Sequence, residues 1–364
     1  MTKGERRLYE LDLLRVVAAT SVLLFHYTYR GGRGGRGLAP YIPYRFPEID
    51  AVTRYGFLGV QLFFFISGMV ILRSASGVKV RQFIASRASR IYPAYWVLVT
   101  VTAAVVVWSG LSEVGVRQFL VNLTMLQKFL HVDEIDGAYW TLAVELRFYV
   151  LMGLAIATGL VRHIRLVLPL WLVVVGVLGR LDVPDSVALV TLTDYAPYFI
   201  AGCCCHLLRE RARDPLVWAT LVGAAVLSCE RSMHRASVNV ADYGDASNRT
   251  VAVIVTLVAL GLVLAVALGF TERFGRPWML VAGALTYPLY LAHEDLGYVA
   301  LRHLGPVVGR WAAVVIVTAG AVGVAWLVHR VIEEPLGPRM RRLVLRVLRA
   351  QKVDPDPSPV GMPG

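Results

Sequence analysis

Between Leu11 and Tyr29 the chain is apolar for long enough to cross a bilayer, yet it carries Asp12, Arg15 and His26. Arg15 and His26 are eleven residues apart. On an α-helix that is three turns plus about 20°, so both project from one face, about 16 Å apart along the axis. A charged side chain in hydrocarbon is costly unless it is paired or wetted. A fold that accepts this helix must therefore provide a polar cavity along most of its length.

The rest of the chain is built for the same solvent. Hydrophobic residues make up 57% of its 364 positions and the mean hydropathy is +0.60. Charged residues are 17%, where a soluble domain carries about a quarter. Apolar runs of membrane-spanning length recur from end to end. We read ten, at roughly residues 11–29, 55–73, 93–110, 139–160, 164–180, 187–208, 215–230, 250–270, 277–296 and 307–329. The fold class they imply is all-α, a polytopic integral-membrane helical bundle. The formal charge of +12 belongs to loops facing anionic lipid, and no nucleic-acid partner is expected.

Ten crossings put both termini on one side. With that side cytoplasmic, the inner segments hold 22 Lys and Arg and the outer ones 13, the bias that orients membrane proteins. The basic start (Lys3, Arg6, Arg7) precedes an apolar run without a cleavage site and reads as a signal anchor. Three outer loops are long. Residues 30–54 are Gly/Arg-rich and expected to be mobile. Residues 111–138 include an amphipathic stretch, Arg117 to Leu130, expected at the membrane interface. The third is 231–249. Asn122 and Asn248 begin glycosylation-type triplets that read as chance matches. Residues 1–338 form the expected transmembrane domain. Residues 339–364 read as a basic amphipathic helix on the inner leaflet and then a disordered Pro-rich cytoplasmic tail. Cys203, Cys204 and Cys205 would point three ways from one helix, and Cys229 stands alone. All four read as apolar packing, and no metal site is expected.

Depth sorts the remaining polar residues into two clusters. His26 lies near the outer end of the first span, Glu145 about six residues into the fourth, and His293, Glu294 and Asp295 at the same level in the ninth. An imidazole and a carboxylate at one depth can form a base and its orienting partner. His26 with Glu145 is the pair expected. Toward the opposite face lie Arg15, Arg73, Arg87 and Arg90. Arg87 and Arg90 share a helix face, and guanidinium forks suit phosphate. A ligand with phosphates at one end and a reactive group on a long thin arm fits the ~16 Å between the clusters. Acyl-coenzyme A has that shape.

Six motifs stand in order along the chain: Arg15-x10-His26, Phe63-Phe-Phe-Ile-Ser67-Gly68, Arg87-Ala-Ser-Arg90-Ile-Tyr-Pro93, Trp140-Thr-Leu142-Ala-Val-Glu145, Tyr287-Pro-Leu-Tyr290-Leu-Ala-His293 and Val331-Ile-Glu333-Glu-Pro335. In these motifs and in its span count the chain resembles the acyltransferase 3 family of integral-membrane O-acyltransferases, across residues 11–335. The resemblance implies transfer of an acyl group, usually acetyl, from acyl-CoA to hydroxyls of sugars and related compounds. Arg15 and His26, Glu145, and Arg87 with Arg90 fall on the family's motif positions. Acyl-CoA would be a co-substrate, with no tightly bound cofactor. Some members carry a fused extracytoplasmic SGNH hydrolase-like domain. None comes after the last motif here, so a stand-alone member is expected. Its acceptor would reach the membrane cavity, or a separate extracytoplasmic partner would take the acyl group. Many relatives have a proline-containing segment after the His293 position, where this chain has Glu294 and Asp295.

The expected reaction places the CoA phosphates on Arg87, Arg90 and Arg73, with Arg15 beside the pantetheine arm. His26 acts as general base on the acceptor hydroxyl, or as a transient acyl carrier, with Glu145 beside it. Tyr149, one turn from Glu145, is a candidate donor to the oxyanion. Asp194, His293 and Asp295 are candidate substrate contacts. The expected partners are acyl-CoA, a hydroxyl-bearing carbohydrate or glycosylated natural product, and the lipid bilayer. The expected location is a bacterial cell membrane. The alternative is a transporter or flippase for an anionic or lipid-linked sugar, because intramembrane Arg, His and Glu occur there too. Such proteins often show two similar halves with broken helices, and this sequence shows none.

Overall fold

The structure is a computed structural model that describes residues 8–34, 40–244 and 247–350. The basic start (1–7), the middle of the Gly/Arg-rich loop (35–39) and the Pro-rich tail (351–364) lie outside the described residues. Among those described, every regular element is helical. Twelve α-helices are longer than seven residues: α1 (Tyr9–Leu24), α2 (Gly59–Ala75), α3 (Val80–Trp108), α4 (Trp140–Ala157), α5 (Ile164–Leu178), α6 (Ala196–Glu210), α7 (Pro215–Tyr243), α8 (Arg249–Leu268), α9 (Trp278–Ala292), α10 (Asp295–Val308), α11 (Arg310–Val328) and α12 (Glu334–Ala350). Among the described residues nine helical runs are long and apolar enough to cross a membrane, and α9 is a tenth, shorter apolar helix. They coincide with the ten runs read from the sequence.

Helix α2 is the centre of the bundle, and it touches α6 through two glycines. A methyl group on Gly68 would meet the Phe199 carbonyl, and one on Gly202 the Phe65 carbonyl. The Cys203 thiol donates to the Gly68 carbonyl at 3.3 Å. Small residues let membrane helices approach to backbone contact, where dispersion and weak hydrogen bonds replace the missing hydrophobic drive. Aromatic rings fill the wider gaps. Phe148 stacks on Phe199 with ring centroids 4.2 Å apart and on Trp171 at 6.4 Å. Cys203, Cys204 and Cys205 are all buried in this core.

Several elements run further than their apolar stretches. Helix α3 begins at Val80, well before Pro93, so Arg87 and Arg90 stand on a helix rather than in a loop. Pro93 needs no backbone donor, and neighbouring groups absorb the break in the ladder. Helix α7 continues to Tyr243, so most of the expected 231–249 loop is helical and places Arg231, His234 and Arg235 on its wall. That stretch contains no proline or glycine before Gly244 to stop it. In the 111–138 segment only Val116–Asn122 is helical. Asn122 anchors the loop beyond this helix. Its amide donates to the Gln118 and Asp133 carbonyls, both at 2.9 Å, and its Oδ1 accepts from the Ile135 amide. Asn248 caps α8 by accepting from the Thr250 amide at 2.8 Å. Helix α10 stays at one end of the bundle, where Tyr298 stacks on Tyr41 at 4.6 Å and the Tyr44 hydroxyl donates to the Leu301 carbonyl. Beyond α11 the chain stays helical through the widened turn His329–Glu333 into α12, which packs along α3.

Candidate active site

The last turn of the first span, Phe25–Arg30, is π-helical, and His26 sits in it. Such widened turns are frequent at functional sites. His26 faces the end of α9, where the helix stops at Ala292 and Glu294 forms a non-helical joint before α10. His26, His293 and Glu294 are all buried. Nδ1 of His26 lies 2.8 Å from Nε2 of His293, whose own Nδ1 lies 2.8 Å from the Tyr290 carbonyl. A carbonyl oxygen only accepts, so with both rings neutral His293 carries its proton on Nδ1 and accepts at Nε2. His26 then donates from Nδ1, which leaves Nε2 with its lone pair. That nitrogen is 3.5 Å from Glu294 Oε2.

Glu294 is held from two sides. Its Oε1 accepts from the Arg30 guanidinium, whereas Oε2 is buried without a hydrogen-bond partner. The loop before α4 crosses over it at Gly137, where a methyl group would meet the Glu294 carboxylate. The same loop brings Asp136 alongside. Asp136 accepts from the Ala138 amide at 2.8 Å and from the Asp295 amide at 3.1 Å. Burial, and then the nearby Glu294 charge, push the Asp136 carboxyl up to about 8. His26, His293 and Glu294 are also the one group among the described residues whose ligand atoms could converge on a metal, all lying within 4.8 Å of one another. The hydrogen bond between the two imidazoles already uses one nitrogen of each ring.

Four cavities run through the bundle, each sharing walls with the next. A mouth of about 720 Å³ is lined by Arg15, Arg87, Arg90, Arg341 and Arg342, with His329 and Glu333. It shares Arg15, Val70, Arg87 and Arg90 with a narrow chamber of about 120 Å³ that holds Ser67, Glu145 and Tyr149. That chamber shares Val60 and Tyr290 with a cavity of about 300 Å³ lined by His26 and Arg30. The His26 cavity in turn shares Trp140, Asp194, Tyr195, Arg235 and Tyr243 with an outer vestibule of about 650 Å³.

This arrangement redistributes the residues singled out in the sequence. Glu145 is not beside His26. It lies in the chamber, accepting from the Ser67 hydroxyl at 2.9 Å and the Tyr149 hydroxyl at 2.7 Å. The expected place of Glu145 is filled by Glu294. Tyr149 has its proton committed to Glu145 rather than free for an oxyanion. Arg15 pairs with Asp12 at 3.1 Å and lines both mouth and chamber, together with Arg87 and Arg90. Arg73 lines neither. Asp194 lines the His26 cavity and the vestibule, 4.0 Å from Arg231. His293 is buried behind His26 rather than on the cavity wall, and Asp295 starts α10 and contributes its backbone N–H to Asp136.

The sequence left Arg30 and Asp136 unmarked, and Glu294 without a role. Glu294 had a signal, as one of three consecutive polar residues closing an apolar span. Asp136 had none, because a loop brings it to the site.

Fold and site define a multi-pass membrane protein with a buried histidine–glutamate centre where two cavities adjoin. Residues 8–330 match the acyltransferase 3 family, an acyltransferase domain, and the chain belongs to that family. It is a membrane acyltransferase. Nodulation protein 10 of Rhizobium leguminosarum bv. viciae is 25% identical over 336 residues, covering 80% of this chain and 84% of that protein. A Komagataeibacter xylinus protein described as a membrane-bound transacylase, BcsY, is 29% identical over 184 residues, covering 46% and 41%. No solved structure matches the chain.

Proposed function

We propose that this acyltransferase takes the acyl group of acyl-CoA at the arginine-lined mouth and transfers it to a carbohydrate or glycoside hydroxyl entering from the vestibule, with His26 as general base. The observation that carries the proposal is the sequence of shared walls from Arg87 and Arg90, past Arg15 and Glu145, to Val60, Tyr290 and His26. A phosphate-bearing carrier with a thin arm fits that succession. A lone hydrolytic cleft would need only one opening. The mouth is then the cytoplasmic face, in line with the Lys/Arg bias of the loops, and the membrane is a bacterial cell membrane.

The chemistry is a single displacement. The acceptor oxygen bonds to the thioester carbonyl carbon and the C–S bond breaks. The hydroxyl proton passes to Nε2 of His26 and from there to the departing thiolate. His293 fixes the tautomer that exposes Nε2, as the carboxylate does in a serine hydrolase triad. Glu294 Oε2, 3.5 Å from Nε2 and without a hydrogen-bond partner, supplies negative charge as the imidazolium forms. Glu145, with Ser67 and Tyr149, lines the path of the arm rather than orienting the base.

The test is free CoA release from acetyl-CoA by protein purified in detergent, for wild type and His26→Ala, with and without glycoside acceptors. Release that depends on acceptor and vanishes in the variant supports the reading. A folded wild type that neither binds nor turns over acetyl-, propionyl- or longer acyl-CoA defeats it and returns the membrane-transport alternative to consideration.

A further inference from the structure

The mouth is built partly by a helix that lies beyond the family-matched residues. The match ends at residue 330, and α12 begins at Glu334. Yet Arg341 and Arg342 of α12 line the same cavity as Arg87 and Arg90 of α3. None of these four has a carboxylate within ion-pair distance among the described residues. The nearby acids are already engaged: Glu333 with His329 at 2.7 Å, Glu334 with Arg330 at 2.8 Å, Asp12 with Arg15. Arg87 also has a buried Nε with no hydrogen-bond partner. The cavity's three carboxylates, Asp12, Glu333 and Glu334, are paired with other residues, so the four guanidinium groups that line it have no ion-pair partner of their own and call for an anionic ligand with several charges.

We propose that Arg341 and Arg342 complete a site for the nucleotide phosphates of the donor, so that the C-terminal helix makes the enzyme select a phosphorylated carrier over a bare pantetheine thioester. This rests on the acyl-CoA reading above. Arg87 and Arg90 hold the phosphates from one side of the mouth and α12 closes on them from the other. The thioester lies too far along the arm to be touched by α12, so the helix contributes to donor recognition and not to the chemical step.

The experiment compares two donors, acetyl-CoA and S-acetylpantetheine, which share the thioester and differ in the phosphates. It uses full-length protein in a neutral detergent without added lipid. In the double variant Arg341→Ala, Arg342→Ala the ratio of kcat/KM for acetyl-CoA over S-acetylpantetheine is expected to fall about tenfold, the size of one or two charge-assisted contacts at a partly exposed site. The double variant Arg346→Ala, Arg349→Ala removes the same charge from the same helix without touching the mouth and should keep the wild-type ratio. An equal loss on both donors would mark a structural role and overturn the proposal, as would an unchanged ratio. A loss that appears only when phosphatidylglycerol is added would assign the two arginines to lipid headgroups and also overturn it. A wild type that turns over neither donor is a different result, because it removes the donor assignment itself.

Discussion

Nδ1 of His26 donates to Nε2 of His293 across 2.8 Å, and the Tyr290 carbonyl 2.8 Å behind His293 leaves that ring no other tautomer. A backbone oxygen thus decides, through two side chains, which nitrogen of His26 is basic. His293→Ala removes the acceptor and frees His26 to take either tautomer. The expected loss in kcat is about 100-fold, within the range for general-base assistance. His293→Gln can still present a carbonyl to His26 and should recover part of it. Alanine and glutamine variants with the same kcat would remove His293 from proton positioning.

The two buried glutamates should separate in kinetics. Glu294→Gln keeps the shape and removes the charge facing Nε2, so kcat should fall about 10- to 100-fold with little change in KM for acetyl-CoA. Glu145→Gln alters the chamber along the donor's path, so its main effect should be on that KM. The opposite pattern, kcat loss at Glu145 alone, would put the base's partner back in α4.

Asp136 gives a pH signature in stability. Its carboxyl is raised to about 8 in the native state from an ordinary value of 3.8. Between those limits the folded protein binds a proton that the unfolded chain has lost, so folding loses stability as pH rises. In Asp136→Asn this dependence is absent. The wild-type melting temperature should therefore fall relative to the variant from pH 5 to pH 8.5. A difference between the two that stays constant across that range would show that Asp136 is not buried in the protonated form.

Packing between α2 and α6 predicts an asymmetry among glycines. Gly202→Ala drives a methyl group into the Phe65 backbone, which cannot rotate aside. A loss of ~1–3 kcal/mol is expected, read as a lower melting temperature in detergent. Gly153→Ala in α4 meets nothing within 4 Å and should stay within about 1 kcal/mol of wild type. Equal effects at the two positions would mean that α2 and α6 do not touch through their backbones.

The spans were legible because the bilayer imposes length and apolarity on every crossing, and each of the ten runs has a helix over it. Arg15, Arg87 and Arg90 were legible for a related reason: cations at one depth must share water or an anion, and these three line one mouth. The pairing of His26 was not. Residue count along a helix gives height and says nothing about which neighbour a face will meet. Glu145 and Glu294 lie in spans read at one level, and only packing sends one to the chamber and the other to the imidazole. The reach of α3 and α7 beyond their apolar stretches was missed because hydropathy marks where lipid ends, whereas a helix ends where a breaker or cap stops it. Asp136 depends on Asn122 anchoring a loop, a tertiary fact with no local periodicity behind it.

Val60 and Tyr290 belong at once to the wall of the chamber and to the wall of the His26 cavity. With wetted clefts on both sides, the insulating layer shrinks from the thickness of a bilayer to about that of a pair of side chains. A transmembrane voltage falls where the insulator is, and here it is concentrated on the atoms around the reaction. In the proposed transfer a proton starts on a hydroxyl on one side of this partition and leaves with a thiol on the other. The proton that passes one way is matched by the acyl group that passes the other, so a complete turnover moves no net charge and its equilibrium is indifferent to voltage; the field, worth ~2.3 kcal/mol per elementary charge per 100 mV, acts only on the charged state in which the imidazolium has formed.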